Sequence, residues 1–280
     1  MFVGDLMLDR DVRRSVVNNG QGRYGFLLRE VFFLRGADIT FGNLEGPISD
    51  KGENGGGPYS FRMSPEVVQA LAWNGFDVLS LANNHMGDYG RKALADTLAR
   101  LRRAGIQAVG AGLSQEEARQ MKIVEVKGMK VGFLAFSDVG PAWLGEEENA
   151  PGILLADTKE RIKIIERAAA SADYLVVSYH FGEEYQKEPT PRQQFLAREA
   201  IDLGAEIVVG HHPHVLQRME KYKDGLIVYS LGNFIFDQNF SAETMQGGIL
   251  QVNLAKGQIE NYSLATTSQN AFFQPSVIIE

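Results

Sequence analysis

Ile207-Val-Val-Gly-His-His-Pro-His214 is a short apolar run broken by a glycine and followed at once by three histidines. The run is too short for a helix and has the β-branched content of a buried strand. Its glycine lets the backbone turn sharply where the polar residues begin. The same order of apolar run, small residue and polar group recurs in four other places. These are Phe2-Val-Gly-Asp5, Ile39-Thr-Phe-Gly-Asn-Leu-Glu45, Val78-Leu-Ser-Leu-Ala-Asn-Asn-His85 and Leu175-Val-Val-Ser-Tyr-His180. All five histidines of the chain fall within these segments. In an α/β sheet, residues just past the carboxyl ends of neighbouring strands meet in one crevice. Imidazole, carboxylate and amide groups gathered there are what a hard-to-borderline cation requires. One such segment is a weak signal; five in one chain are a specific one.

Around these segments, short apolar runs alternate with stretches at helical spacing, the pattern of an α/β protein. Helices are expected over Tyr24–Leu34, Pro65–Trp73, Tyr89–Ala104, Gln115–Gln120, Thr158–Ala170 and Pro191–Leu203, with Gly105 and Gly204 as stops. Strands are expected at Ala37–Phe41, Phe76–Leu81, Lys130–Phe136 and Tyr174–Ser178, among others. Hairpins are expected at Lys127-Gly-Met129 and Ala255-Lys-Gly257. The last third reads as richer in antiparallel β. Gly52–Gly57 lacks the Lys-Ser/Thr ending of a phosphate-cradling loop, and Asp138–Gly152 reads as a surface rim. No composition break divides the chain, so a single domain over residues 1–280 is expected.

The net charge of −7, with no basic block, argues against nucleic acid as a partner. The absence of cysteine removes disulfides, thiolate ligands and a cysteine nucleophile. It also suits an oxidising, extracytoplasmic setting. No stretch is long and apolar enough to span a bilayer. Met1-Phe-Val-Gly-Asp5 reads as the last part of a strand, so upstream residues with a targeting or anchoring segment are expected, and with them a membrane-associated location.

The ordered blocks Gly4-Asp-Leu-Met-Leu-Asp-Arg10, Asn43-Leu-Glu-Gly-Pro-Ile48, Ser80-Leu-Ala-Asn-Asn-His85 with Asp88-Tyr-Gly90, Gly210-His-His-Pro-His-Val-Leu-Gln217 and Tyr229-Ser-Leu-Gly-Asn-Phe-Ile-Phe-Asp237 carry a resemblance. They resemble the metallophosphoesterase (calcineurin-like) superfamily and, more narrowly, the CapA/PgsA poly-γ-glutamate capsule biosynthesis family. The resemblance implies a four-layer α/β/β/α sandwich and one or two divalent ions, with Mn, Zn or Fe favoured and Mg allowed. It implies that Asp5, Glu45, Asn84, His180, His212 and His214 are metal ligands and that His85 is the general acid. Glu45 and Asn43 compete for the bridging position, with Glu45 favoured for its charge. Asn43, Asp88, His211, Glu183 and Asn233 are candidates for contact with substrate. Asp88, Glu183 and Asp237 are also candidates for orienting the imidazoles. The superfamily usually carries a histidine two residues after its first aspartate. Here that residue is Met7, a poor ligand for these metals, which favours one tight ion over two.

Plainer readings exist for each residue. A lone His180 suits a hydrogen-bonded core position, Asp5 a turn, and Asn43 and Asn233, each following a glycine, a turn as well. Tyr229, Phe234 and Phe236 alternate as strand core residues do. The clustering of five segments outweighs these readings for the ligands. Two functions follow. One is metal-dependent hydrolysis of a phosphoester or another polar bond. The other is non-catalytic binding or export of an anionic poly-γ-glutamate polymer within a membrane-bound capsule synthesis complex.

Overall fold

The computed structural model describes residues 1–255 and 257–278. Strands in chain order are β1 (Phe2–Leu6), β2 (Phe41–Leu44), β3 (Val78–Ser80), β4 (Gln107–Val109), β5 (Ala111–Gly112), β6 (Lys122–Val126), β7 (Met129–Ser137) and β8 (Gly152–Ile153). They continue as β9 (Tyr174–His180), β10 (Ile207–His211), β11 (Met219–Tyr222), β12 (Gly225–Val228), β13 (Asn233–Ile235), β14 (Gln246–Ala255), β15 (Gln258–Gln269) and β16 (Pro275–Val277). Helices are α1 (Arg10–Asn19), α2 (Val67–Trp73), α3 (Gly90–Arg103), α4 (Gln115–Ala118), α5 (Trp143–Glu146), α6 (Arg161–Ala169) and α7 (Pro191–Asp202), with a 3-10 stretch at Tyr24–Gly36.

Two large sheets form. The first runs β16-β15-β14-β1-β2-β3-β4, and the second β11-β12-β10-β9-β7-β6. Along β7 and β9 successive side chains are buried on opposite faces. Phe133, Ala135 and Val176 face the first sheet, whereas Leu134, Phe136, Leu175 and Val177 face α6 and α7. A strand covered on both faces needs an unbroken apolar run, which these strands have. The other face of the first sheet packs Val3, Leu6, Leu44 and Leu79 against α1, α2, α3 and the 3-10 stretch. The result is helix, sheet, sheet, helix: the four layers expected from the resemblance. Phe41 of the first sheet stacks on Phe133 of the second, centroids 5.8 Å apart and planes 9° from parallel. Truncating such a buried ring costs about 3–5 kcal/mol.

Several expectations shift in detail. Pairing of β2 starts at Phe41, not Ala37, because Asp77 takes the Thr40 amide before the ladder begins. The helix expected at Tyr24–Leu34 is a 3-10 stretch interrupted at Val31 (φ −117°). Asp138–Gly152 is not bare loop, since it holds α5. Gly105 and Gly204 do end α3 and α7, with φ of 79° and 104°. The turn at Lys127-Gly128 joins an antiparallel pair as read. The hairpin at Ala255-Lys-Gly257 includes Lys256, outside the described residues, although its flanking strands do pair antiparallel.

β1 has an edge shared between two partners. Its start pairs antiparallel with β14, and its end pairs parallel with β13. The register therefore sets Asp5 opposite Asn43 on one side and Asn233 on the other. In the second sheet His180 lies opposite His211 and Ser137. Asp5, Asn43, Ser137, His180 and His211 all sit at or next to the carboxyl ends of their strands, whereas Asn233 opens β13.

Candidate metal centre

Asp5 is fully buried. Its Oδ1 accepts from Asn43 Nδ2 at 2.9 Å and faces His211 Nδ1 at 3.0 Å. Its Oδ2 accepts from the His212 backbone N–H at 3.3 Å and lies 3.4 Å from His214 Nδ1. Asp5 thus bridges the sheets. Burial pushes its carboxyl up, but hydrogen bonding to His211 and His214 outweighs that and holds it well below the usual carboxylate range. Gly4 and Gly210 flank this contact for a steric reason. A Cβ at Gly4 would lie 2.1 Å from Gly232 O, and one at Gly210 2.0 Å from Tyr229 O.

Glu45, just past β2, is buried too, and its Oε2 has no partner among the described residues. Burial first, then the neighbouring Asp5 charge, pushes its carboxyl well above the ordinary value. Asn43 Nδ2 sits amid the ligand atoms, 2.9 Å from Asp5, 3.2 Å from Glu45 Oε1 and 3.3 Å from His180 Nδ1. An amide nitrogen carries two hydrogens and cannot serve all three acceptors fully. That shortfall is what a cation placed among these groups makes good.

His180 Nε2 meets Asn84 Oδ1 at 2.7 Å, and its Nδ1 lies 3.9 Å from Glu45 Oε1. The His180 and His212 rings are 4.7 Å apart. Burial, then the proximity of His212, pushes His180 well below its ordinary pKa; burial, then His214, brings His212 down to about 4. Both imidazoles are therefore neutral at pH 7, the form that ligates metals. His212 Nδ1 is buried without a partner among the described residues. His212 and His214 adopt φ of 97° and 57°, a region that L-residues rarely occupy. Strain of this kind concentrates at functional sites. His214 Nδ1 rests 3.0 Å from Asn233 Oδ1.

His85 sits at the mouth. Its Nδ1 lies 2.9 Å from Asp88 Oδ2, and its ring packs 4.0 Å from that of Phe61. Asp88 Oδ2 also takes the Phe61 amide at 2.8 Å, so it holds His85 and its ring neighbour together. Asp237 orients no imidazole: it pairs with Arg10. Glu183 is exposed. The next residue, Glu184, is the one that approaches the histidines. His211 and Asn43 face the interior rather than the mouth, and Met7 is buried with its Sδ accepting the Asp9 amide at 3.2 Å.

Ligand atoms of Asp5, Glu45 and His214 lie within 4.8 Å of one another, as do those of Glu184, His212 and His214. Mixed imidazole, carboxylate and amide donors, with buried atoms of Glu45 and His212 left without partners, fit a divalent cation. The sequence offers no signal separating Glu184 from Glu183. Only the turn of the loop after β9 does so.

Among solved structures, the fold is similar to a hypothetical protein from Thermus thermophilus (TM-score 0.59, 16% identity, covering 96% of this chain and 98% of that one). It is also similar to a 5'-nucleotidase from Candida albicans (TM-score 0.50, 12% identity, 89% of this chain and 48% of that one). Both likenesses concern fold alone. In sequence the chain is 39% identical over 264 residues to the capsule biosynthesis protein CapA of Bacillus anthracis, covering 90% of this chain and 63% of that protein. It is 36% identical over 258 residues to the PGA biosynthesis protein CapA of Bacillus subtilis, covering 91% and 67%. The chain thus spans somewhat under two thirds of the length of the first relative. Residues 1–238, which contain every candidate ligand, match the family described as bacterial capsule synthesis protein PGA_cap, and the chain belongs to that family.

Proposed function

We propose that this chain serves poly-γ-glutamate capsule synthesis as a divalent-metal-dependent hydrolase acting on a phosphoester or another polar bond. One observation carries the reading: buried Asp5, Glu45, His180 and His214 converge from both sheets, with Glu45 Oε2 left for a further partner. Asp5, Glu45, Asn84, His180, His212 and His214 would hold the ion, and their donor types suit Mn, Zn or Fe. When bound, such a cation supplies Lewis acidity toward a phosphoryl or carbonyl oxygen.

The remaining steps belong to the chain itself. Asp88 ties His85 Nδ1, leaving Nε2 to deliver a proton to the departing oxygen. Phe61 fixes the ring from one face. His211 and Asn43 hold the Asp5 carboxylate in position. The setting that follows is the cell surface, with the chain working beside a membrane-bound synthesis complex. No helix among the described residues is long and apolar enough to cross a membrane.

A second reading, polymer binding without turnover, draws support from Met7, buried where the superfamily usually has a ligand. The test is hydrolysis of aryl phosphoesters and of poly-γ-glutamate with added Mn or Zn, by the wild type, His85→Ala and His180→Asn. Loss in both variants supports the hydrolase. Equal rates in all three remove it. Salt-sensitive polymer binding with no turnover by the wild type selects the second reading.

A further inference from the structure

Glu184 lies on the loop that leaves β9 and crosses the mouth of the centre. The loop is fastened rather than free. The Tyr185 amide donates to Pro213 O at 2.8 Å, which ties it to the turn carrying His212 and His214. Gln217 Nε2 donates to Gln186 O at 2.8 Å, and Gln238 Nε2 donates to the Tyr185 hydroxyl at 3.1 Å. Gly182 (φ 94°) and Tyr185 (φ 65°) both take left-handed backbone, so the loop turns back over the histidines. These fastenings bring a Glu184 carboxylate oxygen within 4.8 Å of ligand nitrogens of His212 and His214.

An exposed carboxylate alone carries no meaning. The histidines beside it supply the second observation. His212 is almost wholly buried, and its Nδ1 has no hydrogen-bond partner among the described residues. A buried imidazole left unpaired costs stability unless something binds it. Because His214 belongs to both groups of donors, the Glu184 group is continuous with the deeper one formed by Asp5 and Glu45.

We infer that Glu184 is a ligand of the metal centre, closing the ion's solvent-facing side together with His212 and His214. This rests on the metal-centre reading above and adds to it a donor from the exposed loop that leaves β9. A carboxylate placed there contributes negative charge to the cation site; its charge also opposes that of Glu45, a repulsion that a bound cation would offset.

The test is titration of chelator-stripped protein with Mn2+, counting free Mn2+ by electron paramagnetic resonance. It compares wild type, Glu184→Gln and Glu183→Gln. Both variants change exposed positions, and far-ultraviolet circular dichroism with melting curves verifies that each is folded. Glu184→Gln is expected to weaken binding at least tenfold or to lose one equivalent, while Glu183→Gln stays within twofold of wild type. Wild-type affinity and stoichiometry in Glu184→Gln would overturn this inference and leave the deeper centre standing. No binding by the wild type would overturn both.

Discussion

Glu45→Gln should make the metal-free protein more stable and at the same time abolish its response to metal. Glu45 is fully buried, its Oε2 lacks a partner, and Asp5 opposes its charge. An unsatisfied buried polar group costs about 1–3 kcal/mol. Gln keeps a polar atom at that place but cannot ionise, so it removes the cost of a buried charge opposed by Asp5, and a gain of that order is expected where the unfolded carboxyl is ionised. The transition entropy, about 2.1 cal/mol/K per residue, is about 0.6 kcal/mol/K for a chain of this length, which converts the gain to about 2–5 °C in Tm. Burial and Asp5 raise the Glu45 pKa on folding, so the wild type loses stability as pH climbs above the ordinary glutamate value of about 4.3. The advantage of the variant is therefore absent near pH 4 and grows toward pH 8. With ion at one hundred times its Kd, the wild type should gain about 2.7 kcal/mol, or about 4–5 °C, and the variant almost nothing. Melting curves in chelator and in Mn2+, at both pH values, read all of this. A variant that melts below wild type in chelator at pH 8, or that keeps the full Mn2+ shift, would refute the claim that Glu45 is held in the core for a cation.

Three further outcomes follow from the same geometry. Asp88→Asn should slow hydrolysis by about tenfold or more while leaving Mn2+ affinity unchanged, because Asp88 touches His85 and no candidate ligand; a parallel fall in Mn2+ affinity would contradict that role. Gly210→Ala should destabilise by about 3 kcal/mol or more, or prevent folding, since its Cβ would lie 2.0 Å from a backbone oxygen; urea denaturation measures it. Asp96, far from the centre, is pushed up by burial but brought down to about 2 by Lys51, Arg100 and Ser49. Asp96→Asn should therefore cost about 1–2 kcal/mol at pH 7, with the gap closing as acid protonates the wild-type carboxylate toward pH 2; a gap unchanged at low pH would sink the assignment.

Much of the architecture could be read from local pattern, because strands buried on both faces announce themselves as unbroken apolar runs. Leu175–Val177 and Ile207–Val209 are examples. β13 was harder to place: it pairs parallel with β1 from more than two hundred residues away, and no local periodicity records a partner so distant. The same division applies to the centre. Asp5, Asn84, His180 and His214 stood out because ligand-type residues follow glycines or strand ends. The work of Asn43 and His211, which hold Asp5 from two different sheets, depends on register and sheet docking. The pairing of Asp237 with Arg10, rather than with an imidazole, is another contact that spacing leaves open. Glu183 and Glu184 are chemically alike and adjacent. What distinguishes them is a backbone turn at Tyr185 whose left-handed φ the residue type does not announce.

The chain contains no cysteine, yet the groups at its centre come from residue 5 and residue 214 and from both sheets. An ion held there would be a cross-link enclosing most of the polypeptide, and closing so long a loop removes much of the freedom of the unfolded ensemble. With no cysteine available for a disulfide, the fold would be fastened by coordination instead. Its resistance to proteases and heat would then follow the supply of free cation rather than the oxidation state of its surroundings.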